Sequence, residues 1–265
     1  MLAVRAVGDE GMLQLVALLL GSVKVQFPSG PSDIEQIVLR WTHFASGILW
    51  VGLLYFFNLV NAPFLKQLDQ GLRARIYPLL MPRALWWFRW SSVIAVVAGF
   101  RYYMILAKVD ADNAGDSGLL GRWLGLWFAV WTLAWLLVYL LLKYVKSLMA
   151  NGWLLAIPTA LVVSFASWAI LKLVAHPAVG NRTLAISVGG GMGYFMLLNV
   201  WGVIWRCQKR LIAGMSEGAR GAPSSAEAIQ FARLAFLASR INFWLSFPML
   251  FFMAASAHFP FLSGQ

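Results

Sequence analysis

The chain has 265 residues, of which 61% are apolar or aromatic and only 12% charged. Soluble domains carry about 25% charged residues, so an ordinary water-soluble fold is excluded, and so is disorder. A net charge of +11 would suit nucleic acid in a soluble protein. Here the basic residues sit between long apolar stretches, and membrane topology accounts for them.

Residues 1–32 form an N-terminal segment whose apolar run, Met12 to Val23, follows Asp9 and Glu10. It is too short to cross a bilayer and lacks a basic n-region and a small-residue cleavage site, so it reads as a helix lying in the interface. Residues 33–265 read as a single all-α domain, a polytopic membrane helix bundle. About 20 mostly apolar residues are needed to span, and six stretches qualify: Ile37–Asn61, Trp86–Val109, Trp123–Lys143, Gly152–Ala175, Leu184–Trp205 and Phe236–Phe259. Pro63, Gly118 with Gly121, Asn151 with Gly152, Pro177 with Gly180, and Gly221 to Ser225 supply the breaks. Within the spans this leaves Pro158 and Pro248 as the only prolines.

Thirteen of the 21 basic residues fall on one side: Lys66, Arg73, Arg75, Arg83, Arg89, Lys143, Lys146, Arg206, Lys209, Arg210, Arg220, Arg233 and Arg240. Basic residues are retained on the cytoplasmic side, so both termini are expected outside, in a bacterial inner membrane. Ser224-Ser225-Ala226-Glu227 has capping-box spacing, which starts a helix leading into span 6. Trp86, Trp87 and Trp90 suit the inner aromatic belt, and Trp41 and Trp123 the outer one. Trp123, Trp127, Trp131 and Trp135 share one face of span 3, a stripe read as packing or lipid contact in preference to electron carriage. Gly189-Gly190-Gly191 with Gly193 reads as close helix packing rather than a phosphate loop, and Gly190 and Gly193 are the positions whose replacement by Leu is expected to matter.

Ionisable groups at membrane depth point to function. No Asp or Glu lies in a span, which disfavours proton pumping, and His43, Arg101, Lys172, His176 and His258 remain. Lys172 can snorkel and His176 can be wet. Cys207, with no paired Cys or His, reads as an incidental thiol. Arg40, His43, Gly47 and Trp50 share a helical face. A glycine one turn below a histidine leaves room for a flat macrocycle, a neutral imidazole is a common axial ligand of haem iron, and an arginine can pair with a propionate. His43 and His258, set at similar depth, are the candidate haem b and metal ligands, with Arg101 on a propionate. A structural interhelical hydrogen bond is the other reading of a lone membrane histidine.

Arg40-Trp41-Thr42-His43 through Gly47, Trp50, Gly52 and Phe56-Phe57, then Met81-Pro82 through Phe88-Arg89-Trp90 and Gly99-Phe100, then Asn199-Val200 with Gln208, and Ser246-Phe247-Pro248 through Ala257-His258-Phe259-Pro260 occur in that order. Together they resemble the membrane domain of bacterial cytochrome-c-linked urate oxidases, or membrane urate hydroxylases. The resemblance implies a multi-span domain working with a c-type cytochrome on the outer side. With no Cys-x-x-Cys-His in this chain, that cytochrome is expected as a separate polypeptide. The family pattern has histidines where this chain has Trp86, Ser187 and Ile241, an acid where it has Ser91, and a His-Gly-Gly stretch before span 2 that is missing here. The first span also resembles that of haem-binding membrane protoporphyrinogen oxidases. The leading expectation is a redox-complex subunit with one b-type haem, exchanging electrons with an external c-type cytochrome. The second is a non-catalytic anchoring subunit among other membrane subunits. A transporter ranks last, for want of an inverted repeat or matched broken helices.

Overall fold

A computed structural model describes residues 11–14, 16, 30–218 and 226–262. The chain divides into two compact units, Met1–Val38 and Leu39–Gln265. Most of the expected interfacial helix, and Ser224-Ser225 of the capping box, lie outside the described residues. Every regular element described is helical. Among the described residues six helices are long and apolar enough to span: α1 (Pro31–Gln67), α2 (Gln70–Asn113), α3 (Leu119–Tyr144), α4 (Gly152–Val174), α5 (Asn181–Gly214) and α6 (Ala226–His258).

The helices outrun the expected spans. α2 is 44 residues long, about 66 Å at 1.5 Å per residue, or twice a hydrocarbon thickness. Hydropathy ends a span where polar residues begin, but a helix satisfies its own backbone and continues into water. The basic stretch between the first two expected spans, Lys66 to Arg83, is therefore helical on both sides of Leu68 and Asp69. The Asp69 carboxylate starts α2 by accepting from Leu72 N at 2.8 Å. Pro63 breaks nothing either. A π-helical stretch, Phe56–Asn61, ends just before it, and that wider turn gives room to a ring that would otherwise press on the carbonyl four residues back. Pro78 and Pro82 also lie inside α2, so Pro158 and Pro248 are not alone. α2 ends on Gly115 at φ 71°, a left-handed position that suits glycine.

α5 is the centre of the bundle, packed against α2, α3, α4 and α6. It runs antiparallel to α2, which it meets at Tyr103 with Ser187, Trp90 with Trp201, and Tyr77 with Gln208. Its glycines receive indoles. A Cβ on Gly191 would fall 1.8 Å from Trp131 Nε1, and one on Gly202 would fall 2.8 Å from the Trp135 ring. Gly189 is closed by Phe252 Cβ at 2.9 Å and Met249 O at 3.2 Å. The close packing expected of this glycine run falls on Gly189 and Gly191 within the chain, while a Cβ at Gly193 meets nothing within 4 Å and one at Gly190 meets only ordinary contacts. The tryptophan stripe is packing, as expected, with Trp127 and Trp131 both donating to Ser187 O. Trp123 is buried in the core and so does not belong to an aromatic belt, whereas Trp41, Trp86, Trp87 and Trp90 are exposed.

Candidate functional site

His43 is half-buried on the face of α1 that also carries buried Trp50 and Leu54. Its Nδ1 lies 2.7 Å from Ala95 O of α2. A carbonyl can only accept, so Nδ1 carries the proton, and in the neutral ring Nε2 keeps its lone pair. The ring fits because Gly99 has no side chain: a Cβ there would stand 2.6 Å from Nδ1. One turn along, the space where a Gly47 side chain would project holds no atom within 4 Å. Arg40 reaches over the Tyr102 ring at 5.9 Å.

α1 and α6 run antiparallel and are joined by two side-chain hydrogen bonds. Ser246 Oγ donates to Phe243 O, so its lone pairs take the Tyr55 hydroxyl at 3.0 Å. Asn58 Nδ2 donates to Ser239 Oγ at 2.9 Å and to Leu54 O. His43 lies twelve residues before Tyr55 and His258 twelve after Ser246. Each is about 18 Å along its axis from that contact, so the two share a level. They do not share a direction. His43 faces α2, while His258 is exposed at the last turn of α6. Arg101 is at the height of Gly99 but exposed, about 200° round α2 from it. Lys172 is exposed, and His176 accepts from Ala178 N at 3.1 Å in the loop before α5.

A second constellation lies toward the other end and consists of amides, which a search restricted to ionisable groups passes over. Trp135 Nε1 donates to Asn199 Oδ1 at 3.0 Å, Asn199 Nδ2 to Asn242 Oδ1 at 2.8 Å, and Asn242 Nδ2 to Met196 O at 2.9 Å. Asn199 stands directly before a second π-helical stretch, Val200–Ile204. Asn58 and Asn61 occupy the first one. Both π-bearing helices thus send buried amides to one turn of α6, Ser239 to Asn242. Asn61 donates weakly to Met81 Sδ at 3.7 Å, and its Oδ1 is buried without a partner among the described residues. π turns shift helix register and recur at functional sites. The sequence signal was present in the Asn58/Asn61 pair and in single asparagines within apolar helices. Of the positions where the resemblance expects histidine or acid, Ser91, Ser187 and Ile241 are buried and packed, and Trp86 is exposed.

A family model described as urate oxidase N-terminal matches residues 71–265. No curated protein matches the chain, and no solved structure does. The matched stretch contains Ala95, Gly99, Arg101, Asn199, Asn242 and His258. It begins after α1, and so does not include His43, Asn58 or Asn61.

Proposed function

We propose that this chain, which belongs to the urate oxidase N-terminal family, is a multi-pass membrane subunit of a redox complex that binds one b-type haem and exchanges electrons with an external c-type cytochrome. In this reading His43 would hold the haem, with His258 and Arg101, which share its height but not its direction, as the candidates for the second iron ligand and the partner of a propionate. Both termini lie outside, in a bacterial inner membrane, with the basic helix extensions in the cytoplasm.

The observation that carries the reading is the His43 hydrogen bond to Ala95 O over Gly99. Haem and metal histidines are held by their second ring nitrogen in this way, which fixes tautomer and ring orientation and leaves Nε2 free to ligate. The open space at Gly47 and the common level of His43 and His258 support it further. A haem bound there supplies reversible one-electron transfer. The chain contributes the fixed imidazole, the cleared helix surface and a cationic side chain.

The test is an optical spectrum of the purified protein. A Soret band and a reduced α-band are expected, and both should vanish in a folded His43→Ala protein. A colourless, folded wild type overturns the proposal and favours the second reading, a non-catalytic anchoring subunit. That reading has its own support in Ser91, Ser187 and Ile241, which pack where the resemblance expects acid and histidines.

A further inference from the structure

Arg89 of α2 lies flat against α5, with its guanidinium carbon 3.5 Å from the centre of the Trp205 ring and 5.4 Å from that of Trp201. Nε is spent on Leu85 O at 3.2 Å. The two terminal nitrogens, with four N–H donors, have no hydrogen bond and no carboxylate among the described residues. The ion pairs in those residues, Lys108 with Asp112 and Arg122 with Asp116, stand at the opposite end of the bundle. Guanidinium donors left unused in this way are available to an anion.

Its height says what that is. Arg89 precedes Asp110 by 21 residues on one continuous helix, about 31 Å along the axis, which is one hydrocarbon thickness. Asp110 accepts from Gly180 N in the loop that closes the other surface. That puts Arg89 at the edge of the hydrocarbon, within a long side chain's reach of lipid phosphates. Exposed Trp86, Trp87 and Trp90 surround it on α2, as interfacial indoles do. On α5, Trp201, Trp205 and Lys209 are spaced four apart, so exposed Lys209 stands one turn beyond Trp205 on the same face.

We infer that the α2–α5 cleft at Arg89 binds the headgroup of an anionic phospholipid, with the Arg89 fork on its phosphate and Lys209 adding charge beyond it. Stacking holds the guanidinium plane in place, so little freedom is lost when the phosphate docks. The acyl chains then run toward the midplane past exposed Trp90, Ile94 and Val97 of α2. This site is independent of His43 and of any haem.

The experiment uses purified full-length protein, delipidated in neutral detergent and offered phosphatidylglycerol or phosphatidylcholine in vesicles, with retained lipid counted by native mass spectrometry. Wild type should keep one phosphatidylglycerol in preference to phosphatidylcholine. Arg89→Gln should lose that preference by about fivefold, the equivalent of ~1 kcal/mol per basic residue near a charged lipid surface. Lys209→Gln should lose less. Arg83→Gln, on the same helix and exposed, should lose nothing. Equal retention of the two lipids by wild type overturns the inference. So does full retention by folded Arg89→Gln, or equal competition by soluble glycerol phosphate, which would make this a free-phosphate site. If Arg89→Gln does not fold, Arg89→Lys keeps the charge and loses the planar stack. It should show a smaller but measurable loss, and unchanged retention overturns the inference.

Discussion

α5 has 78% of its apolar spanning stretch buried and α1 only 22%, though both run in the same direction, carry a π-helical stretch and meet α6. Lipid gives no hydrophobic push between helices, so shape and hydrogen bonds must hold them. α5 uses shape: three glycines admit two indoles and a phenylalanine at distances no other residue permits. α1 uses polar anchors: beyond Val38 it is tied to the bundle by His43, Tyr55 and Asn58. The difference separates a rigid seam, whose side chains are used up in packing, from a peripheral helix whose imidazole keeps a free nitrogen.

The largest effect is expected where the seam is tightest. Gly191→Ala puts a methyl group into the Trp131 ring and should cost about 3 kcal/mol, the upper range for overpacking. Gly193→Ala, with open space around it, should change stability by less than ~0.5 kcal/mol. Thermal unfolding in one detergent compares the two. Equal midpoints would mean that glycine spacing does not hold α5.

Next comes the amide chain. Asn242→Leu leaves Asn199 Nδ2 without its acceptor and Met196 O without its side-chain donor. Hydrogen bonds between membrane helices average about 0.6 kcal/mol with a maximum near ~1.7, and a buried network belongs toward the top of that range. A double-mutant cycle of Asn199→Leu with Asn242→Leu should return a coupling of about 1 kcal/mol. Simple additivity would show that the two amides act separately.

Gly99→Ala sharpens the comparison from the other side. The added methyl group would meet the His43 ring at 2.6 Å and push the imidazole off Ala95 O, while α1 keeps its Tyr55 and Asn58 anchors. Stability should fall by no more than ~1 kcal/mol, yet any haem absorption should be lost or shifted as in His43→Ala. An unchanged spectrum from a coloured protein would remove His43 from the site.

Part of this contrast between α5 and α1 is legible in the sequence. Six apolar stretches gave the number and order of the spans, because hydropathy follows directly from composition. Their ends were not legible, since α2 runs on through Pro78 and Pro82 where charge suggests a loop. Trp127, Trp131 and Trp135 were recognisable as one face by their spacing. Which glycine meets which indole depends on the rotation of α5 against α3, which spacing does not fix, so the run from Gly189 to Gly193 was legible as close packing while the fit of Gly191 to Trp131 and of Gly202 to Trp135 was not. For the candidate site, helical arithmetic placed His43 and His258 at one level, but not the turn of His43 toward Gly99. The amides stayed hidden because neutral polar side chains leave no trace in a count of charges.

The smallest effect belongs to the loop joining α2 to α3, where neither seam nor anchor acts. The Arg122 guanidinium donates to the Asp116 carboxylate, which also accepts from Gly118 N at 2.9 Å, and together they hold that carboxyl below the usual aspartate range. A depressed carboxyl contributes stability above its unfolded value, near pH ~4, and loses it as pH falls through the lower folded value. Both side chains are about half exposed, so solvent and salt screen the pair. Arg122→Gln should therefore leave the unfolding midpoint at neutral pH unchanged and raise the Asp116 titration toward the ordinary range, followed by carboxyl NMR at low ionic strength. If Asp116 titrates identically in both proteins, the backbone N–H groups of Gly118 and Leu119 set the shift without Arg122. A midpoint that fell at neutral pH would mean that the loop shares in holding the bundle, and the contrast between α5 and α1 would no longer account for its stability.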